Sequence, residues 1–208
     1  MKKIFISPSS QEANTYTTGT NEETVMNLIA DSLIPELVRH GVGVMRNNRN
    51  NTYAGHISQS NGYGPDLHLA IHSDASGGIN TGKARGCTVF CYDPSDPSKI
   101  GTQFAEKIYK NISALTPTED RGVRSGKASI SEIKYTHAPA ALVEIAFHDN
   151  PDDAQWIVNH ISQIAHGLLL AILEQFSIPS QPTNINETHI AELNRLTALF
   201  QKEIDSLV

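Results

Sequence analysis

Apolar positions along this chain alternate between two periods. "KKIFIS" (2–7) is a short apolar run that reads as a first strand. Residues 22–40 place Val25, Leu28, Ile29, Leu33, Leu37 and Val38 at helical spacing, with Gly41 as a stop and Pro35 expected to kink or divide the helix. "VGVMR" (42–46) reads as a second strand. A polar loop follows, becoming a short helix that ends in glycines near residue 64, and then "DLHLAIH" (66–72) reads as a third strand. "CTVFCY" (87–92) is another strand, and "KIGTQFAEKIYKNISAL" (99–115) is a helix capped by Ser98. "AALVEIAF" (140–147) is continuously apolar apart from one acid, which suits a central strand covered on both faces. Asn150 then caps, and Pro151 opens, a long helix reaching residue 176. Strands alternating with helices predict an α/β fold: a largely parallel, mixed sheet of about six strands with helices on both faces.

The expected main domain is 1–176, followed by a linker at 177–187 rich in Ser, Pro and Asn. In 188–208, Ile190, Leu193, Thr197, Phe200, Ile204 and Leu207 stand near a/d spacing. A C-terminal helix is expected there, either packed on its own domain or forming a homo-oligomer.

Composition narrows the function. The 208 residues carry a formal charge of −6 and no basic stripe, which argues against nucleic acid as a partner. No apolar run approaches the ~20 residues of a membrane helix. "MKKIFISPSS" has too short an apolar core for an export signal, so the chain is expected to be made in the cytoplasm without one. Cys87 and Cys91 on one strand would lie roughly 13 Å apart, too far for a disulfide.

The chemistry-bearing residues gather at predicted strand ends, where α/β sheets bind ligands. His72 closes the third strand, and Glu144 stands in an apolar strand near its end. The "SPSSQ" turn follows the first strand directly and feeds the helix that Glu23 begins. Burial of an acid such as Glu144 raises its pKa toward the working pH, which suits a general base; a structural salt bridge is the competing reading. Imidazole and carboxylate ligands with a second acid beside them suit zinc hydrolysis. His68, on the same strand face as His72, reads as a core residue.

These segments resemble the catalytic domain of zinc-dependent N-acetylmuramoyl-L-alanine amidases of the type-3 family, over about residues 2–175. "EETVMN" is similar to that family's Glu-x-x-x-Asn segment, implying a zinc ligand at Glu23 with Asn27 behind it. "DLHLAIHSDAS" is similar to the strand ending in His-x-Asn-Ala, implying a ligand at His72. "RGCTVFCY" resembles the Gly-led strand after the substrate loop, and "PAALVEIAFHDNPDDA" the segment carrying the catalytic Glu, here Glu144. The family's Gly-His-Gly turn is missing: "SPSSQEANTY" stands in its place, and no histidine precedes His40. Gln11 is the favoured third ligand, with His137 or water as alternatives. Asp74, His148 and Arg121 are the expected substrate-binding residues. The resemblance implies Zn²⁺ as cofactor, peptidoglycan as substrate, and action on the cell wall after phage-type release or mother-cell lysis. Two other readings stay open: a non-catalytic wall-binding module, for which the missing histidine speaks, and a zinc exopeptidase.

Overall fold

The computed structural model describes residues 1–118 and 121–180. Six strands form one sheet: β1 (Lys3–Pro8), β2 (Gly43–Arg46), β3 (Leu67–Asp74), β4 (Thr88–Cys91), β5 (Val123–Ser125) and β6 (Ala140–Phe147). Their order is β2-β1-β3-β6-β4-β5. Every pairing is parallel except β4 with β6, so β4 and β5 run against the other four strands. The helices are α1 (Glu22–Arg39), α2 (Tyr53–Tyr63), α3 (Ile100–Ser113), α4 (Ser131–Tyr135), α5 (Pro151–Asn159) and α6 (Ile161–Phe176). The expected α/β architecture is present.

Some local expectations change. Pro35 does not divide α1, which runs unbroken for 18 residues. Pro35 and Asp31 are both exposed, so the Asp31 carbonyl that loses its helical donor faces solvent. The single long helix expected after Asn150 is instead α5 and α6, bent by 76° at His160. The His160 ring stacks on Trp156 and bonds that residue's carbonyl at 2.7 Å, which ends α5. β5 and α4 were not foreseen, being three and five residues long without a periodic pattern. The C-terminal helix expected at 188–208, and oligomerisation through it, lie outside the described residues. Among those described, no single helix is long and apolar enough to cross a membrane.

The two sheet faces differ, a thick one under α1, α3 and α6 and a thin one under α2 and α4. Ile4 and Ile6 of β1, Leu69 and Ile71 of β3, and Ala141, Val143 and Ile145 of β6 point into the main core, under α1, α3 and α6. The alternate residues (Phe5 and Ser7; His68, Ala70 and His72; Leu142 and Glu144) point toward α2 and α4. There a small apolar cluster of Ala70, Ile133, Ala140 and Leu142 shares the space with polar groups. His72 and Glu144 are cross-strand partners; just beyond them the β3–β6 register shifts, so Asp74 faces Phe147. A bulge of this kind bends a strand and re-aims side chains, here beside the two residues of interest.

Candidate active site

A cavity of about 270 Å³ opens at this end of the thin face, lined by Gln11, Tyr53, His72, Glu132, Leu142 and Glu144 among others. His72 is at its centre. Nδ1 of its ring lies 2.8 Å from Glu22 Oε1 and 3.3 Å from the side-chain amide of Gln11. Nε2, on the opposite side of the ring, faces Glu132 Oε2 at 3.9 Å, an ion-pair distance rather than a hydrogen bond.

Glu22 is the first residue of α1, whose start Asn21 caps by accepting from the Thr24 amide. The Glu22 side chain is fully buried. It accepts from Asn14 at 2.5 Å and lies 3.4 Å from the Ser73 amide. Burial alone would push its pKa up, but His72, Asn14 and Ser9 outweigh that and hold it below the usual range. Glu23, the acid expected as ligand, points elsewhere. Its carboxyl pairs with Glu12 near Arg49, and partial burial with that like charge raises its pKa. The structure thus brings Glu22, not Glu23, against His72. Asn27 bonds the carbonyls of Glu23 and Ser9 and receives Arg46, tying α1 to the turn after β1.

Glu144 is an acid whose pKa is pushed well above the usual carboxylate range. Burial pushes its pKa to about 8; His72 pulls it down, while Asp74 and Glu22 add to the rise. Its Oε2 is buried with no hydrogen-bond partner among the described residues. Burial opposes a charge on His72, yet Glu132, Glu22 and Glu144 together raise its pKa to about 10. Three acidic side chains thus surround one histidine, a cage whose chemistry favours a cation.

The other expected residues are distributed unevenly. Gln11 is in the cage. His137 precedes β6, at the far end of that strand from Glu144, and lines a different depression with Tyr92 and Lys99. Asp74 and Arg121 meet in a neighbouring depression of about 430 Å³ with Lys83 and Phe147, and Arg121 lies over the Phe147 ring at 4.8 Å. His148 is buried; its ring stacks on Tyr16, and Nδ1 is within 3.0 Å of both the hydroxyl and the carbonyl of Ser73. It is turned into this packing rather than into the cavity. Two site residues were missed. Glu22 had a legible signal, standing three, seven and eleven positions before Val25, Ile29 and Leu33 on one helical stripe. Glu132 had none.

The donor set can be tested for a metal. Among the described residues no three His, Cys, Asp or Glu side chains form a group arranged to hold one. The convergent set at His72 Nδ1 is one imidazole, one carboxylate and one amide. Donors around a tetrahedral zinc at ~2.0–2.1 Å lie roughly 3.3 Å from one another, and the 2.8 and 3.3 Å separations here approach that. A half-turn of the Gln11 terminal torsion presents its oxygen. The orphaned Glu144 oxygen adds a further unsatisfied group beside the set. The residues fit zinc with a side-chain amide as one of three ligands.

The fold and this carboxylate–imidazole cavity at the strand ends define an α/β domain with the makings of a hydrolytic centre. Comparison with known proteins gives the family. Residues 7–174 match the family described as N-acetylmuramoyl-L-alanine amidase (Amidase_3), and the chain belongs to it. That family is generally zinc-dependent. The chain is 29% identical over 156 residues to the N-acetylmuramoyl-L-alanine amidase LytC of Bacillus subtilis, which covers 73% of this chain and 30% of LytC. It is 25% identical over 178 residues to the probable cell wall amidase LytH of Staphylococcus saprophyticus, covering 83% of this chain and 56% of LytH. The chain therefore spans from 30% to 56% of these relatives' lengths. Among solved structures, the catalytic domain of the amidase CwlV from Bacillus (Paenibacillus) polymyxa superposes with a TM-score of 0.74 at 18% identity, covering 86% of this chain and all of that one.

Proposed function

We propose that this chain is a peptidoglycan hydrolase that cleaves the amide between the lactyl group of N-acetylmuramic acid and L-alanine of the stem peptide. One observation carries the reading: His72, with Glu22 and Gln11 against its Nδ1, shares a cavity with buried Glu144, whose Oε2 has no partner among the described residues, in a chain of the amidase family. Glu22, His72 and Gln11 would hold the zinc, with Glu22 taking the place first expected of Glu23. When bound, zinc supplies a Lewis acid that polarises the scissile carbonyl and lowers the pKa of water.

Glu144 takes the proton of the attacking water and returns it to the leaving amine of L-alanine. The metal-free cavity favours its protonated form, since burial raises its pKa to about 8. A cation beside it shifts it back toward the carboxylate a base requires. Tyr53 and Leu142 wall the cavity and limit water around that proton. Asp74 and Arg121 mark the adjoining depression as the path for the rest of the substrate. The site of action is the cell wall, reached after phage-type release or lysis of a mother cell.

The test is product analysis on purified wall. Zinc-loaded protein should release peptides with new N-terminal L-alanine and leave muramic acid intact, and a chelator should stop this. Cleavage elsewhere in the stem, or binding without cleavage, would overturn the reading.

A further inference from the structure

The polar cluster on the thin face extends beyond the residues assigned so far. Beneath His72 lie Ser7, Ser60, His68 and Glu132, each at most 4% exposed. His68 Nδ1 bonds Ser60 Oγ at 2.9 Å, and its Nε2 bonds Glu132 Oε1 at 3.1 Å. Ser7 donates to the same oxygen at 2.6 Å, and the His68 ring stacks on Phe5 at 5.3 Å. Glu132 Oε1 is therefore used twice, by residues of β1 and β3. Its other oxygen is aimed at His72 Nε2.

A buried carboxylate is costly unless it is paired. This one stands on a five-residue helix whose other buried residue is Ile133. A purely structural pair with His68 would need Oε1 alone. The second oxygen instead completes a bracket around His72, with Glu132 on the Nε2 side and Glu22 and Gln11 on the Nδ1 side.

We infer that Glu132 is a positioning residue: anchored by Ser7 and His68, it holds His72 by Nε2 so that Nδ1 is presented to Glu22 and Gln11. This rests on the reading of His72 as a metal-holding residue. Carboxylates behind a ligating histidine fix its orientation and tautomer, and their loss costs 10–100-fold in metal affinity. The effect matters most in a set with one imidazole, where no second histidine compensates for a ring that turns away. Ser60, His68 and Ser7 act one step further back, by fixing Glu132.

Two measurements on the full chain test this, using wild type, Glu132→Gln, Glu132→Asp and Ser7→Ala. The first is the ring ¹⁵N shifts of His72 in zinc-free, histidine-labelled protein at one pH. The second is Zn²⁺ affinity by competition with a chromophoric chelator. Glu132→Gln should move the His72 shifts and weaken zinc by about 10–100-fold, with partial recovery in Glu132→Asp. His72 shifts identical to wild type, or zinc affinity within about threefold of it, would overturn the inference. If Glu132→Gln does not fold, Ser7→Ala is read the same way: it keeps the carboxylate, removes one anchor, and should give a smaller change in the same direction. No change there would also overturn the inference. A wild-type chain that binds no zinc, but whose His72 shifts still respond to Glu132→Gln, would support the positioning role and defeat the metal reading.

Discussion

The two faces of the sheet are built from the same strands but to different ends. Under α1, α3 and α6 the strands present Ile4, Ile6, Leu69, Ile71, Val143 and Ile145, and the helices answer with Leu33, Ile108 and Ile172, all fully buried. Under α2 and α4 the same strands present Ser7, His68, His72 and Glu144, with only four residues in the buried apolar cluster. Burial of apolar area stabilises a fold by roughly 25 cal/mol per Å², so the thick face carries most of the stability. The thin face gives up part of that gain to keep ionisable groups dry, where electrostatic interactions are strong. Substitutions on one face should therefore change stability and spare chemistry, and on the other the reverse.

The sharpest form of that contrast is Glu144→Gln. If Glu144 moves the proton, its replacement should lower the release of L-alanine termini by about 10²–10⁴-fold. The same change should stabilise the metal-free protein. Burial raises the folded-state pKa of Glu144 from 4.5 to about 8, so between these values the folded protein keeps a proton that the unfolded chain has lost. Wild-type stability thus falls as pH rises through that window, while the variant lacks this loss. Thermal unfolding in chelator at both ends of the window checks the sign. A variant less stable than wild type at the alkaline end would break the contrast.

The next test separates neighbours. Glu22→Gln should weaken zinc binding by more than the roughly 100-fold that outer partners contribute. Glu23→Gln should leave it unchanged, because that carboxyl faces Glu12 and Arg49 rather than His72. Equal effects at the two positions, read by chelator competition, would remove Glu22 from the set.

On the thick face, Leu33→Ala deletes a fully buried side chain of α1. The expected cost is about 2–5 kcal/mol by denaturant unfolding, with zinc affinity of the folded protein unchanged. A large loss of affinity would show that the faces are coupled rather than separate.

The thick face was also the legible one. Continuous apolar runs and helical spacing mark β1, α1, β3, β6 and the helices after Asn150, because burial on that side dictates residue type at a fixed period. His72 and Glu144 were legible for the opposite reason, as polar residues breaking an apolar strand near its end. The helical register of α1 was readable too, yet the choice between Glu22 and Glu23 needs it to the residue: adjacent positions point about 100° apart. The Ser60–His68–Glu132 cluster was beyond reach. Its members are joined across 64 residues of sequence, and the helix carrying Glu132 is too short to show a period. His148 shows the converse: a histidine four residues after Glu144, turned by β6 into packing with Tyr16.

The smallest expected effect lies where the faces meet. Asn21 caps α1, whose body belongs to the thick face and whose first residue, Glu22, contacts His72. Asn21→Ala removes the acceptor for the Thr24 amide and should cost about 1 kcal/mol, read as a small drop in Tm. Glu22 is also held by Asn14, His72 and the Ser73 amide, none of which depends on the cap. Zinc affinity should therefore change far less in Asn21→Ala than in Glu22→Gln. A cap variant that unfolds normally but loses zinc as completely as Glu22→Gln would mean that the start of α1, rather than the cage around it, positions the carboxylate.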